Sequence, residues 1–155
     1  MYAGEQKALD DIAKHGCHIM NVMAEGELPE FSYSVGIQKT IQKPEAVVIG
    51  LKHPLAMSVI NEYNSRLKAG ETFEVGKSYS GFIEGFDCYV ERVHKKHYSE
   101  YFGWDVWLYK GIDFEVVQLV YPSTSGIWPW DKESTEWFKN WQPILTENGK
   151  PTIAT

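Results

Sequence analysis

Cysteine is scarce in this chain. The two present, Cys17 and Cys88, stand far apart, and neither belongs to a CxxC or cysteine–histidine spacing that would build a zinc site. Both lie in strand-like segments, so the expectation is two buried free thiols and a reducing compartment. Long apolar runs are missing too, none approaching the ~20 residues of a membrane span. The first residues, MYAGEQKALDD, lack the charged-then-apolar pattern of a secretory leader. The expectation is a soluble, cytoplasmic protein. Positive charge is in deficit: the formal net charge of −6 repels phosphate backbones and anionic lipid, which disfavours nucleic-acid and membrane partners and favours a basic protein surface. Catalytic signatures are lacking as well. There is no GxSxG elbow, no GxGxxG after a strand and no Gly-Lys-Ser/Thr phosphate loop.

What is abundant is aromatic and strand-forming sequence. Six tryptophans, nine tyrosines and seven phenylalanines in 155 residues supply large side chains for a core. A chain of this length buries roughly 68–70% of its unfolded surface. It is read as a single globular domain over residues 1–155, with its core in about 5–145 and a loosely held tail beyond Pro143. Phe31, Tyr33, Val35 and Ile37 alternate with Ser32, Ser34 and Gly36, the period of a strand with one large-residue face and one small one. After Pro44-Glu45 the run AVVIGL is apolar on every residue, as in a strand buried on both faces, and it is expected beside the first.

Helical spacing marks residues 5–14, ended by Gly16, and residues 54–67, opened by Pro54 and stopped by Gly70. The spans TFEV, YSGFIE and DCYVERV read as strands, with Gly76 and Gly85 as turns or bulges, and FEVVQLVY reads as a central strand. His94, His97, Tyr98, Tyr101 and Phe102 share a helical face. The favoured reading is one helix on to Tyr109, against a helix ending at Gly103 followed by a strand. Trp137 and Trp141, four apart, mark a last helical turn or two. The fold class that follows is α+β: a mainly antiparallel or mixed sheet of about five to seven strands packed with about three helices.

Several short motifs resemble, in order, a bacterial family known as domain of unknown function 4262. They are His15-Gly16-Cys17-His18, Pro29-Glu30-Phe31-Ser32-Tyr33-Ser34-Val35-Gly36-Ile37, Pro44-Glu45 with its strand, Ala69-Gly70 before Phe73, and Gln118-Leu119-Val120-Tyr121-Pro122 followed by Gly126 and Pro129-Trp130. The resemblance covers roughly residues 8–145. By that pattern a tryptophan commonly stands where this chain has Cys17, and a Trp-Pro-Asp step where it has Tyr121-Pro122-Ser123. Had that acidic residue done chemistry in relatives, this chain would have lost it. The resemblance implies no activity and marks no catalytic residue.

Candidate sites are weighed residue by residue. His94 and His97 suit two metal ligands on one helix turn, but Tyr101 and Phe102 continue the stripe, and packing is the simpler reading. His15 and His18 lack a completing ligand set. Cys17 between them is read as structural rather than as an activated thiolate. The small face Ser32, Ser34 and Gly36 admits close packing by a helix or a flat ligand held by serine hydroxyls. Flavin is the cofactor considered there, by loose similarity to split-barrel flavin-binding proteins.

Trp128, Trp130, Asp131, Trp137 and Trp141, with Glu133 and Glu136 interleaved, form an aromatic and acidic segment suited to a basic protein surface. The leading expectation is therefore a non-catalytic protein-binding domain, specifically an immunity-type inhibitor of a basic bacterial toxin domain. The alternative is a small flavin-like cofactor binder or enzyme. Oligomeric state is left open by the sequence.

Overall fold

The computed structural model describes residues 3–153. Met1, Tyr2, Ala154 and Thr155, the ends of the expected single domain, lie outside the described residues. Helix α1 spans Ala3–His15, followed by strands β1 (His18–Val22) and β2 (Phe31–Val35), the short helix α2 (Ile37–Ile41), strand β3 (Glu45–Ile49) and the long helix α3 (His53–Lys68). Then come β4 (Ser78–Ile83), β5 (Phe86–Arg92), a 3-10 turn at Lys95–His97, α4 (Tyr98–Tyr101), α5 (Gly103–Tyr109), β6 (Val116–Val120) and α6 (Glu136–Trp141). The strands form one six-stranded sheet in the order β1-β2-β3-β6-β5-β4. Only β3 and β6 pair in parallel among the described strands; the other neighbours are antiparallel. The fold is an open mixed sheet of the α+β class with six helices among the described residues, more than the three expected. Among the described residues, no helix is long and apolar enough to cross a membrane.

The unbroken apolar sequence of β3 is explained by burial on both faces. Ala46 and Val48 join the cluster beneath α3 with Val59, Ile60 and Tyr63, while Val47 and Ile49 join the opposite cluster with Tyr33, Tyr98 and Phe102. At about 1.5–3 kcal/mol for each large apolar side chain buried, these two layers dominate the stabilisation. Helix α3 closes with Gly70 at φ +97, where the Gly70 N–H donates to the Leu67 carbonyl at 3.0 Å and the Glu71 N–H to the Arg66 carbonyl at 2.9 Å.

Four sequence expectations are corrected. Strand β2 stops at Val35, because Gly36 adopts φ +111 and turns the chain into α2. Ile37 therefore packs in the cluster under α3 and not beside Tyr33. TFEV is irregular, Phe73 packing against Tyr63, Tyr79 and Phe82 from a loop. The expected helix over 94–109 is broken: Phe102 leaves helical geometry at φ −118, ψ 45, separating α4 from α5. The segment after Pro143 is not loosely held at its start. Ile144 and Leu145 are buried, and the Gln118 side chain donates to the Pro143 carbonyl and accepts from the Leu145 N–H, both at 2.9 Å.

The joint between β2, α2 and β3 is made by Glu45, which is fully buried. Its carboxylate accepts five hydrogen bonds: from the Ser34 hydroxyl (2.7 Å), the Gly36 and Ile37 N–H groups (both 3.1 Å), the Gln38 N–H (3.2 Å) and the Tyr109 hydroxyl. The first turn of a helix leaves its N–H groups unpaired, and here a side chain from the next strand satisfies them. Ile12 lies over Gly36, where a Cβ would come within 2.7 Å of it. Replacing Glu45 with alanine leaves several buried donors without an acceptor, so Glu45→Ala is expected to destabilise the fold by about 3–5 kcal/mol in urea unfolding at pH 7. A loss below ~1 kcal/mol would contradict this role.

Candidate functional site

A groove of about 420 Å³ opens at the C-terminal ends of the parallel pair. Gly50 and Leu51 follow β3, Tyr121, Pro122 and Ser123 follow β6, and both sets line it. Parallel neighbours leave a sheet from the same end, so the connections after β3 and β6 both begin beside this groove. After β3 the chain enters α3. After β6 it makes a turn in which the Ser123 N–H donates to the Ile127 carbonyl at 2.7 Å, and it returns as α6.

Helix α6 is capped by Thr135, whose hydroxyl accepts from the Phe138 N–H at 3.1 Å. It is fastened to the strand ends by three contacts. Phe138 is buried in the core, and the Trp141 indole N–H donates to the Gly50 carbonyl at 2.8 Å. Gln142 bonds the backbone of Tyr121 both ways, accepting from its N–H at 3.1 Å and donating to its carbonyl at 2.8 Å. Gly50 has φ +88, and a Cβ there would lie 2.6 Å from the Tyr121 hydroxyl oxygen and 2.8 Å from the Trp141 ring. The close approach of both aromatics needs glycine.

The opposite wall is Leu55 of α3 with Ile83 and Phe86 of the β4–β5 hairpin. The Tyr121 hydroxyl donates to the Ile49 carbonyl at 2.7 Å, so this polar group of the floor, like the Trp141 N–H, is already paired. What remains is mostly apolar surface. The volume falls in the roughly 300–1,000 Å³ range of ligand pockets, and the walls are largely aromatic.

The tryptophan-rich segment is divided between two places. Trp137 and Trp141 stack with ring centroids 5.5 Å apart at 13° and line the groove, with Trp137 65% exposed at its lip. Trp128 and Trp130 stack on each other at 5.3 Å and pack against Tyr89, away from that lip. The Asp131 carboxylate accepts from the Trp128 N–H at 2.8 Å and so closes a local turn. Leu51, Leu55, Ile83, Phe86 and Tyr121 complete the groove without a signal of their own in the sequence, although Tyr121-Pro122 ends a recognised strand.

The small face of β2 is interior. Ser32 and Ser34 are fully buried, the Ser32 hydroxyl donating to Asn21 at 2.7 Å and that of Ser34 to Glu45. Gly36 lies beneath Ile12. His94 caps the 3-10 turn and His97 is its last residue. The His94 Nδ1 accepts from the Lys96 N–H at 3.1 Å, and the His97 Nε2 lies 3.0 Å from the Thr146 carbonyl. Among the described residues, no cluster of three histidine, cysteine, aspartate or glutamate side chains could hold a metal ion. His18 Nδ1 pairs with Asp11 at 2.7 Å. The thiols of Cys17 and Cys88 are buried, which pushes both up to about 12, with Glu45 adding to the first and Asp87 to the second. Neither is a thiolate at neutral pH.

Sequence reasoning also missed a buried pair of carboxyl groups. Asp105 of α5 is fully buried, and neither of its oxygens has a hydrogen-bond partner among the described residues. Burial, and then the neighbouring Glu45, push its carboxyl well above the usual range. Burial raises Glu45 as well, but hydrogen bonds from Tyr109, Ser34, Gln38 and Ile37 oppose the rise. The charge therefore resides on Glu45 and the proton on Asp105. The unfolded chain releases that proton above about pH 4, whereas the folded chain keeps it to higher pH, so this pair lowers stability as pH rises, by at most about 1.4 kcal/mol per unit. Asp105→Asn, which has no proton to hold, is expected to flatten the fall in unfolding midpoint between pH 5 and 8. Parallel midpoint profiles for the two proteins would contradict the assignment.

Comparison with curated proteins and with solved structures finds no match. A family model described as Domain of unknown function (DUF4262) matches residues 11–135. That span runs from α1 through the α6 cap residue Thr135 and contains both the Glu45 anchor and the strand ends that floor the groove. The chain belongs to the DUF4262 family.

Proposed function

We propose that this chain is a binding protein without catalytic machinery of its own, and that the groove at the ends of β3 and β6 receives an apolar, basic segment of a protein partner. The observation that carries this reading is Trp137, a large ring left 65% exposed over an apolar groove. Exposed tryptophan beside a preformed apolar slot has the character of an interface hot spot. The groove lining lacks any pairing of nucleophile with base, and the polar groups of its floor are committed to the backbone.

Charge supports a basic partner. Glu84, Asp87, Glu133 and Glu136 are exposed on the segments bordering the groove. Of the nearby cations, Lys52 is matched by Glu30 at 3.6 Å and Lys139 by Glu136 at 3.7 Å, leaving Lys132 against three carboxylates. A rim of this sign steers cationic surfaces and rejects anionic ones. An immunity-type inhibitor that masks a basic toxin domain is the specific form of this reading.

Selection of a displayed random-peptide library on the immobilised protein tests it. Enriched sequences are expected to combine apolar residues with lysine or arginine and to bind Trp137→Ala at least tenfold more weakly. The variant's unfolding free energy should stay within about 1 kcal/mol of the parent, since the ring is largely in water. Enrichment of nothing, or binding indifferent to Trp137→Ala, would overturn the proposal.

A further inference from the structure

The groove does not end at the hairpin. A second depression of about 420 Å³ runs over the β4–β5 turn and shares Ile83 and Phe86 with the groove, and its other lining residues include Glu84 and Asp87. An aromatic slot thus passes into an acidic one. The slot also keeps free donors. The Trp137 indole N–H has no acceptor among the described residues, and the Ser123 hydroxyl accepts from the Ile127 N–H at 3.2 Å, which leaves its hydrogen available.

We infer that the occupant is an extended proline-rich segment carrying an arginine or lysine, its prolines against Trp137 and Trp141 and its cation over Glu84 and Asp87. This inference rests on the binding-protein reading above. Three features select this occupant over other peptide conformations. A polyproline II strand makes no internal hydrogen bonds, so its carbonyls need donors from the host, and indole N–H and hydroxyl groups along an aromatic groove supply them. A helix satisfies its own carbonyls and has no use for those donors. An added β-strand needs a regular open edge, whereas this groove lies across strand ends, and the nearby edge strand β4 is irregular between Tyr79 and Ile83, with Gly81 at φ +96.

The stacked pair of α6 gives the slot a fixed ledge. Trp141 is held by its bond to Gly50, and Trp137 lies nearly parallel to it at 13°. Rigid proline rings lose little entropy on packing against such a surface. The acidic depression then sets the direction, since a cation can meet Glu84 and Asp87 only from the hairpin end.

Tryptophan fluorescence and calorimetric titration with three synthetic decapeptides test the inference: a proline-rich peptide ending in two arginines, the same peptide ending in two glutamates, and a leucine-rich helix-forming peptide with the same arginines. The proline–arginine peptide is expected to bind at micromolar concentration, at least tenfold more tightly than the glutamate form. Trp137→Ala should weaken it at least tenfold. Glu84→Gln/Asp87→Asn, two exposed changes, should remove most of the preference for arginine over glutamate. Tighter binding of the helical peptide, dependent on Trp137, would overturn the proline-rich occupant while leaving the groove a binding site. Absence of binding by the proline–arginine peptide, or binding unaffected by Trp137→Ala, overturns this inference outright. The binding-protein reading itself stands or falls on the library selection.

Discussion

A single buried carboxylate holds the joints of this fold together. Glu45 receives the hydroxyls of Ser34 and Tyr109 and the first N–H groups of α2, so one side chain connects β2, α2, β3 and α5. Isolated, a five-residue helix is too short to persist in water. The carboxylate at its N-terminus, the Ile12 side chain over Gly36 and the burial of Ile37 make it part of the core. The cost of burying that charge is offset by its hydrogen bonds, and Asp105, held neutral, adds no second charge beside it.

Strand β3 carries the consequences to the other end of the molecule. It runs from Glu45 to Ile49, and the next residue, Gly50, forms the floor of the groove. Fixing the start of the strand fixes the level at which Gly50 meets Tyr121 and Trp141. Because β6 lies parallel to β3, with Ala46 opposite Val117 and Val47 opposite Gln118, its exit at Tyr121 falls beside Gly50. The groove is thus a product of strand direction: an antiparallel partner would have placed a hairpin or a strand start there. Its walls are apolar, and exposed carboxylates stand on the segments that border it.

The alternation of β2 was legible in the sequence because large side chains fill one face and small serines the other, and the apolar run of β3 because that strand is buried on both faces. The reading failed where a period continued past a change of backbone. Ile37 extends the Phe31-Tyr33-Val35 alternation, yet the positive φ of Gly36 sends it to the opposite face. In 94–109 the aromatic stripe is real, but Phe102 is fully buried against Tyr33 and Tyr98 at the cost of helical geometry. The packing of Ile144 and Leu145 depends on Gln118, a polar residue in a buried strand whose partners are backbone groups and leave no trace in residue types. The same holds for Glu45, whose acceptor role is invisible until the α2 amides are in place. The tryptophans were recognised as a group, but their division into a core-side stack on Tyr89 and a groove-side stack on α6 falls across the turns at Trp128–Asp131 and Asp131–Ser134, which composition marks only as loop.

Amide hydrogen exchange at Gly36, Ile37 and Gln38 tests the Glu45 anchor most directly. If the carboxylate secures this joint, these three amides exchange only when the whole domain unfolds, with the same protection as the amides of Val47 and Val48 in β3. Exchange of the three through local opening, orders of magnitude faster than in β3 under the same conditions, would show that the fold does not depend on the anchor.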